Sequence, residues 1–70
     1  MTKEKREYLK DIISVKKLAQ KVGMNATYLS SILNNQKQPS MILARLLTHE
    51  VNVLLESPYF TIQDFNPKDK

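Results

Sequence analysis

Seventy residues with a formal net charge of +4 allow a single domain with a modest core. No cysteine is present, which excludes a disulfide framework and a thiolate metal site. The one glycine excludes a glycine-rich phosphate cradle, and the apolar-rich run at 41–55 is too short, and too broken by Arg45, His49, Glu50 and Asn52, to span a bilayer.

Residues 1–11 carry no apolar stretch like that of a signal peptide, so a cytoplasmic protein with no membrane partner is expected. The positive charge is unevenly placed. Residues 1–21 hold seven Lys or Arg against three acids, and residues 51–70 hold two against three. A basic first half suits a polyanion, or is simply a solvated surface.

A first helix is expected over 3–13. Tyr8, Leu9, Ile12 and Ile13 form one stripe at helical spacing, and Tyr8 is assigned to the core. Lys3, Glu4, Lys5, Arg6, Glu7, Lys10 and Asp11 read as a solvated outer face.

Ser14 is the expected N-cap of a second helix. Val15, Leu18, Ala19 and Val22 share one face of it. Gly23 ends that helix in a left-handed residue, Met24 plugs the turn, and Asn25 caps a third helix. That helix has an apolar back of Ala26, Leu29, Ile32 and Leu33. Its front carries Thr27, Tyr28, Ser30, Ser31 and Asn34. Two short helices about a tight glycine turn describe a helix-turn-helix.

Residues 34–39, NNQKQP, form a polar loop, with Asn35 suited to positive φ and Pro39 forcing Gln38 out of the helical region. Ser40 caps a fourth helix running to about Leu55, with Leu43, Ala44, Leu47 and Val51 facing the core. Met41, Leu46, Val53 and Leu54 are left over. That surplus suggests self-association, or cover by the final segment. His49 has no Cys or second His to join it, so no metal or cofactor is expected.

Ser57-Pro58 breaks the fourth helix. Thr61 and Asp64 have capping-box spacing, which predicts a fifth helix over 61–65 with Ile62 and Phe65 docked. Strands over 51–55 and 59–62 are the alternative. Residues 66–70 are expected to form a flexible tail.

The run LAQKVGMNATYLSSI resembles the helix-turn-helix of the phage Cro and repressor proteins, the lambda-repressor-like or XRE-like group. Leu18, Ala19, Gly23, Leu29 and Ile32 carry the resemblance, with the loop and helix of residues 34–47 after them. It covers roughly residues 8–65 and is strongest over 15–40. It implies an all-α fold, a compact four- to five-helix domain with the helix-turn-helix at its centre. It also implies a sequence-specific transcriptional regulator, most often a repressor, of phage or mobile-element type and not an enzyme.

In such a domain helix 26–34 enters the major groove of double-stranded DNA and its N-terminal residues reach base edges. Those residues here are Asn25, Ala26, Thr27 and Tyr28, with Ser30 and Ser31 a turn on. Phosphate contacts are expected from Ser14, at the start of the second helix, and from Lys16, Lys17, Lys21 and Asn34. The resemblance adds Gln36, Lys37 and Gln38, whose loop runs along the backbone in that group. No Arg–guanine or Gln–adenine pairing is offered. Modest monomer affinity and a homodimer on a palindrome are therefore expected, joined through residues 41–55, 56–65 or both. The competing reading is a protein-interaction module, an antirepressor or antitoxin on the same fold.

Overall fold

The computed structural model describes residues 1–66. Four helices begin at an oxygen-bearing side chain that accepts a backbone N–H of its own first turn. They are α1 (Lys3–Ile12), α2 (Val15–Val22), α3 (Ala26–Leu33) and α4 (Met41–Leu55). Thr2 accepts from Lys5, Ser14 from Lys17 and Ser40 from Leu43, each at 3.2 Å. Asn25 Oδ1 accepts from both Thr27 and Tyr28, at 2.7 and 3.3 Å. Each such cap is worth about 1 kcal/mol.

Three of the four also stop alike. Gly23, Asn35 and Glu56 are the described residues with positive φ, at 74°, 63° and 55°, and each closes α2, α3 or α4. The next N–H reaches five residues back in all three cases: Met24 to Ala19 at 2.9 Å, Gln36 to Ser31 at 2.8 Å and Ser57 to Asn52 at 3.1 Å. This is the Schellman lock, which satisfies carbonyls that the helix end leaves open. Gly23 and Asn35 were expected at positive φ, whereas Glu56 was not.

The buried core takes Leu9 from α1, Leu18 and Ala19 from α2, and Leu29, Ile32 and Leu33 from α3. Ala44, Leu47 and Val51 join from α4, and Phe60 and Phe65 from the last segment. Val15, Val22, Met24, Ala26 and Leu43 pack half-buried at its margin. The expected inward faces of α2, α3 and α4 are therefore the observed ones.

Two expectations for α1 fail. Tyr8 is 44% exposed. Its ring lies over Phe60, near parallel at 6.4 Å, and edge-to-face with Tyr59 at 5.4 Å. A ring with a polar tip suits such a margin better than a sealed core. The helix ends at Ile12, because Ile13 is extended at φ −153° and ψ 143° and carries the chain into the Ser14 cap.

After α4 a non-helical connection over 56–61 leads into one more short helix. Among the described residues there is no strand, so the strand alternative for 51–55 and 59–62 is set aside. Thr61 precedes α5 (Ile62–Phe65), and its N–H and hydroxyl both donate to Asp64 Oδ2, at 2.8 and 3.2 Å. The connecting segment is held by Asn52, whose amide donates to Phe60 O at 2.9 Å and accepts from Phe60 N at 3.0 Å. Lys5 crosses from α1 to Asp64 at 2.9 Å and lies 4.8 Å from the Tyr59 ring centroid.

Asn66 departs from the flexible tail expected at 66–70. It is buried, and its amide donates to Pro39 O at 3.2 Å. Residues 67–70 lie outside the described residues. Among the described residues no helix is long and apolar enough to cross a membrane.

Candidate nucleic-acid interface

The back of α3 is fixed by Leu29, Ile32 and Leu33, at most 1% exposed. At about 100° per residue, the direction opposite this face falls on Thr27, Ser31 and Asn34. Ser30 and Tyr28 flank that row. Thr27, Tyr28 and Asn34 are exposed, and Ser30 and Ser31 are half-buried. The front of the helix is thus a hydrogen-bonding ridge open to solvent. Ala26 sits half-buried against the core, so only part of its methyl group is on offer.

Internal hydrogen bonds decide what each group has left to give. The oxygen of Asn25 is committed to the cap, which leaves its NH₂ as a donor. Ser31 donates its hydroxyl to Thr27 O at 3.1 Å, which leaves its lone pairs as acceptors. A group in that state matches an amino group on a base edge, adenine N6 or cytosine N4. The Thr27 hydroxyl and methyl have no partner among the described residues. Asn34 Nδ2 makes one long bond, 3.5 Å, to Ser30 Oγ.

The loop after α3 is anchored along its length. The N–H groups of Gln36 and Lys37 both donate to Ser31 O, at 2.8 and 3.2 Å. Asn35 is tied to Met1 by two bonds, and Pro39 is buried beneath Asn66. Gln36, Lys37 and Gln38 consequently project from a fixed backbone, all exposed.

On α2, Lys16, Lys17 and Lys21 are exposed, as is the capping Ser14. The three lysines do not form one row. Lys16 and Lys21 point about 140° apart around the helix, with Lys17 between them, so they do not present one continuous basic stripe.

Arg6 was read as a solvated charge. It is instead half-buried and donates to Leu33 O at 3.5 Å, placing a cation at the C-terminal end of α3 where the helix dipole favours it. Charge alternation along α1 gives no sign of this. A clearer signal was available in the distribution of acids. Residues 12–49 contain no Asp or Glu and carry Lys16, Lys17, Lys21, Lys37 and Arg45. That span supplies α2, α3, the loop and most of α4, so no carboxylate from it opposes a polyanion at the ridge.

Two short helices locked at a glycine, the second showing a polar ridge, define a helix-turn-helix domain. A family model described as Helix-turn-helix matches residues 3–56. The chain belongs to this family, the XRE type, which is a family of DNA-binding regulatory domains. No curated protein and no solved structure matched the chain.

Proposed function

We propose that this protein is a sequence-specific transcriptional repressor of the small phage or mobile-element kind. It acts as a homodimer on a two-fold operator. Thr27, Ser31 and Asn34 at the centre of the ridge face the major groove, flanked by Asn25, Ala26, Tyr28 and Ser30. Ser14, Lys16, Lys17, Lys21, Gln36, Lys37 and Gln38 grip phosphates on either side. A duplex partner also supports a cytoplasmic location.

One observation carries this reading. The solvent-facing ridge of α3 is wholly polar and uncharged, and it lies inside the stretch of chain that lacks acids. Repulsion from phosphates is thereby avoided where the base-reading groups must enter, and lysines on both flanks supply the sequence-independent attraction. Hydroxyl groups give few strong base contacts, which is why two copies on adjacent half-sites suit this helix better than one.

Selection of bound fragments from random duplex DNA tests the proposal. The expected result is an enriched site with two-fold symmetry and half-sites about one helical turn apart. A pool that stays unenriched after several rounds would end the reading.

A second reading, an antirepressor or antitoxin that docks on protein, draws on the apolar residues exposed along α4. Gel shifts at about 50 and about 200 mM salt separate the two, since a DNA reader loses affinity steeply over that interval. A protein that shifts no DNA even at the lower concentration, and captures a protein partner, is the second kind.

A further inference from the structure

The outer face of α4 carries Ile42, Leu46 and Val53, which are 82%, 39% and 57% exposed, with exposed His49 between them. Their spacing is four, three and four residues, the step of a helix–helix seam. By helical geometry this stripe lies opposite Ala44, Leu47 and Val51, the buried face of the same helix. Arg45 borders one side of it and Glu50 the other. The two are five residues apart, and the one ion pair among the described residues, Lys5–Asp64, uses neither.

We infer that α4 pairs side by side and in parallel with α4 of a second copy of this chain, the Ile42–Leu46–His49–Val53 stripe forming the seam and Arg45 of each copy meeting Glu50 of the other. The charges select the direction. In a parallel two-fold pair each flank faces the partner's opposite flank, and residue i meets residue i+5 of the other chain. Arg45 and Glu50 have that offset. In an antiparallel pair like flanks meet, which sets arginine beside arginine and glutamate beside glutamate.

Residues 42–53 span only about 16 Å, so the contact is short and the dimer weak in the absence of DNA. This deepens the dimeric part of the proposed function. Association is measured here without DNA, so its failure leaves the reading of bases untouched.

The test is sedimentation equilibrium of the full chain over a range of concentrations. The chains compared are the unaltered protein, Arg45→Glu, Glu50→Arg, an equimolar mixture of those two, and Ile42→Asn. All three altered sites are at the surface or half-buried, and helix content by circular dichroism confirms folding. Each charge reversal alone sets two like-charged pairs across the seam and should weaken association about tenfold. Mixing the two variants restores both Arg–Glu pairs, and the mixture should associate as the unaltered chain does. Ile42→Asn should also weaken association. A monomer at every concentration, a mixture no tighter than its components, or full association of Ile42→Asn would each overturn the proposal.

Discussion

The carboxamide of Asn35 holds Met1 by both of its backbone groups. Asn35 Oδ1 accepts from the Met1 nitrogen at 2.6 Å, and Asn35 Nδ2 donates to Met1 O at 2.9 Å. One side chain thus joins the start of the chain to the loop that follows α3. It does so from a residue at φ 63°, where glycine is the easier choice.

Asn35→Gly separates the two roles. If Asn35 served only to permit positive φ, glycine would leave stability unchanged or raise it. Loss of both hydrogen bonds predicts instead a loss of about 1–2 kcal/mol, read from urea denaturation. Asn35→Ala should cost a further ~1 kcal/mol, because alanine resists the left-handed region.

This clamp marks where sequence reasoning stops. The helices, the caps at Ser14, Asn25 and Ser40 and the inward faces of α2 to α4 were legible, because capping oxygens and 3.6-residue periodicity are local properties. Gly23 and Asn35 announced their positive φ for the same reason. Glu56 did not, since no local preference puts glutamate at φ 55°. The amide clamps of Asn35 on Met1 and Asn52 on Phe60 depend on which distant backbone is brought near. No spacing rule encodes that. Tyr8 was misplaced because stripe membership does not say where the stripe's edge falls. On α3, the polar ridge was legible, while the hydrogen bond that fixes the Ser31 proton was not.

Gly23 makes a cleaner case of backbone cost. A Cβ added there meets nothing within 4 Å, so Gly23→Ala introduces no clash. Its whole effect comes from holding an L-residue at φ 74°, which costs about 1–2 kcal/mol. Gly23→Asn should cost less, since asparagine tolerates that region. Thermal melting of the three proteins should rank them Gly, Asn, Ala.

The Lys5–Asp64 pair predicts an acid dependence. Burial pushes the Asp64 carboxyl up. The hydrogen bond and charge of Lys5, with the N–H and hydroxyl of Thr61, together outweigh it and hold the group below its usual 3.8. A carboxylate with a depressed folded value stabilises the fold above the unfolded value, and that contribution is lost as pH falls through the folded value. Stability should therefore drop as pH is lowered below the ordinary carboxylate range. Asp64→Asn should be less stable at neutral pH and should show a flatter profile below about pH 4. Urea midpoints measured across that range check both. Parallel acid profiles for the two proteins would show that Asp64 has no part in the dependence.

Base reading and phosphate gripping leave different signatures, and the ridge and loop make the contrast testable. Ser31 has its proton tied to Thr27 O, so under the proposed function it offers the groove an acceptor. Ser31→Ala should cost about 1–3 kcal/mol on the selected operator and relax preference at one base pair, with little change on unrelated DNA. Thr27→Ala should do the same at a neighbouring position, with a bias toward steps that present a thymine methyl. Lys37 projects from a backbone pinned at Ser31 O, beside the ridge and not on it. Lys37→Ala should weaken operator and unrelated DNA alike, and the slope of log K against log salt should shrink by about one. Titrations of all three variants on both duplexes at several salt concentrations give slope and specificity together. If Ser31→Ala and Lys37→Ala lose affinity in the same proportion on both duplexes, the hydroxyl is not reading a base, and the polar ridge of α3 serves only to keep the helix wet.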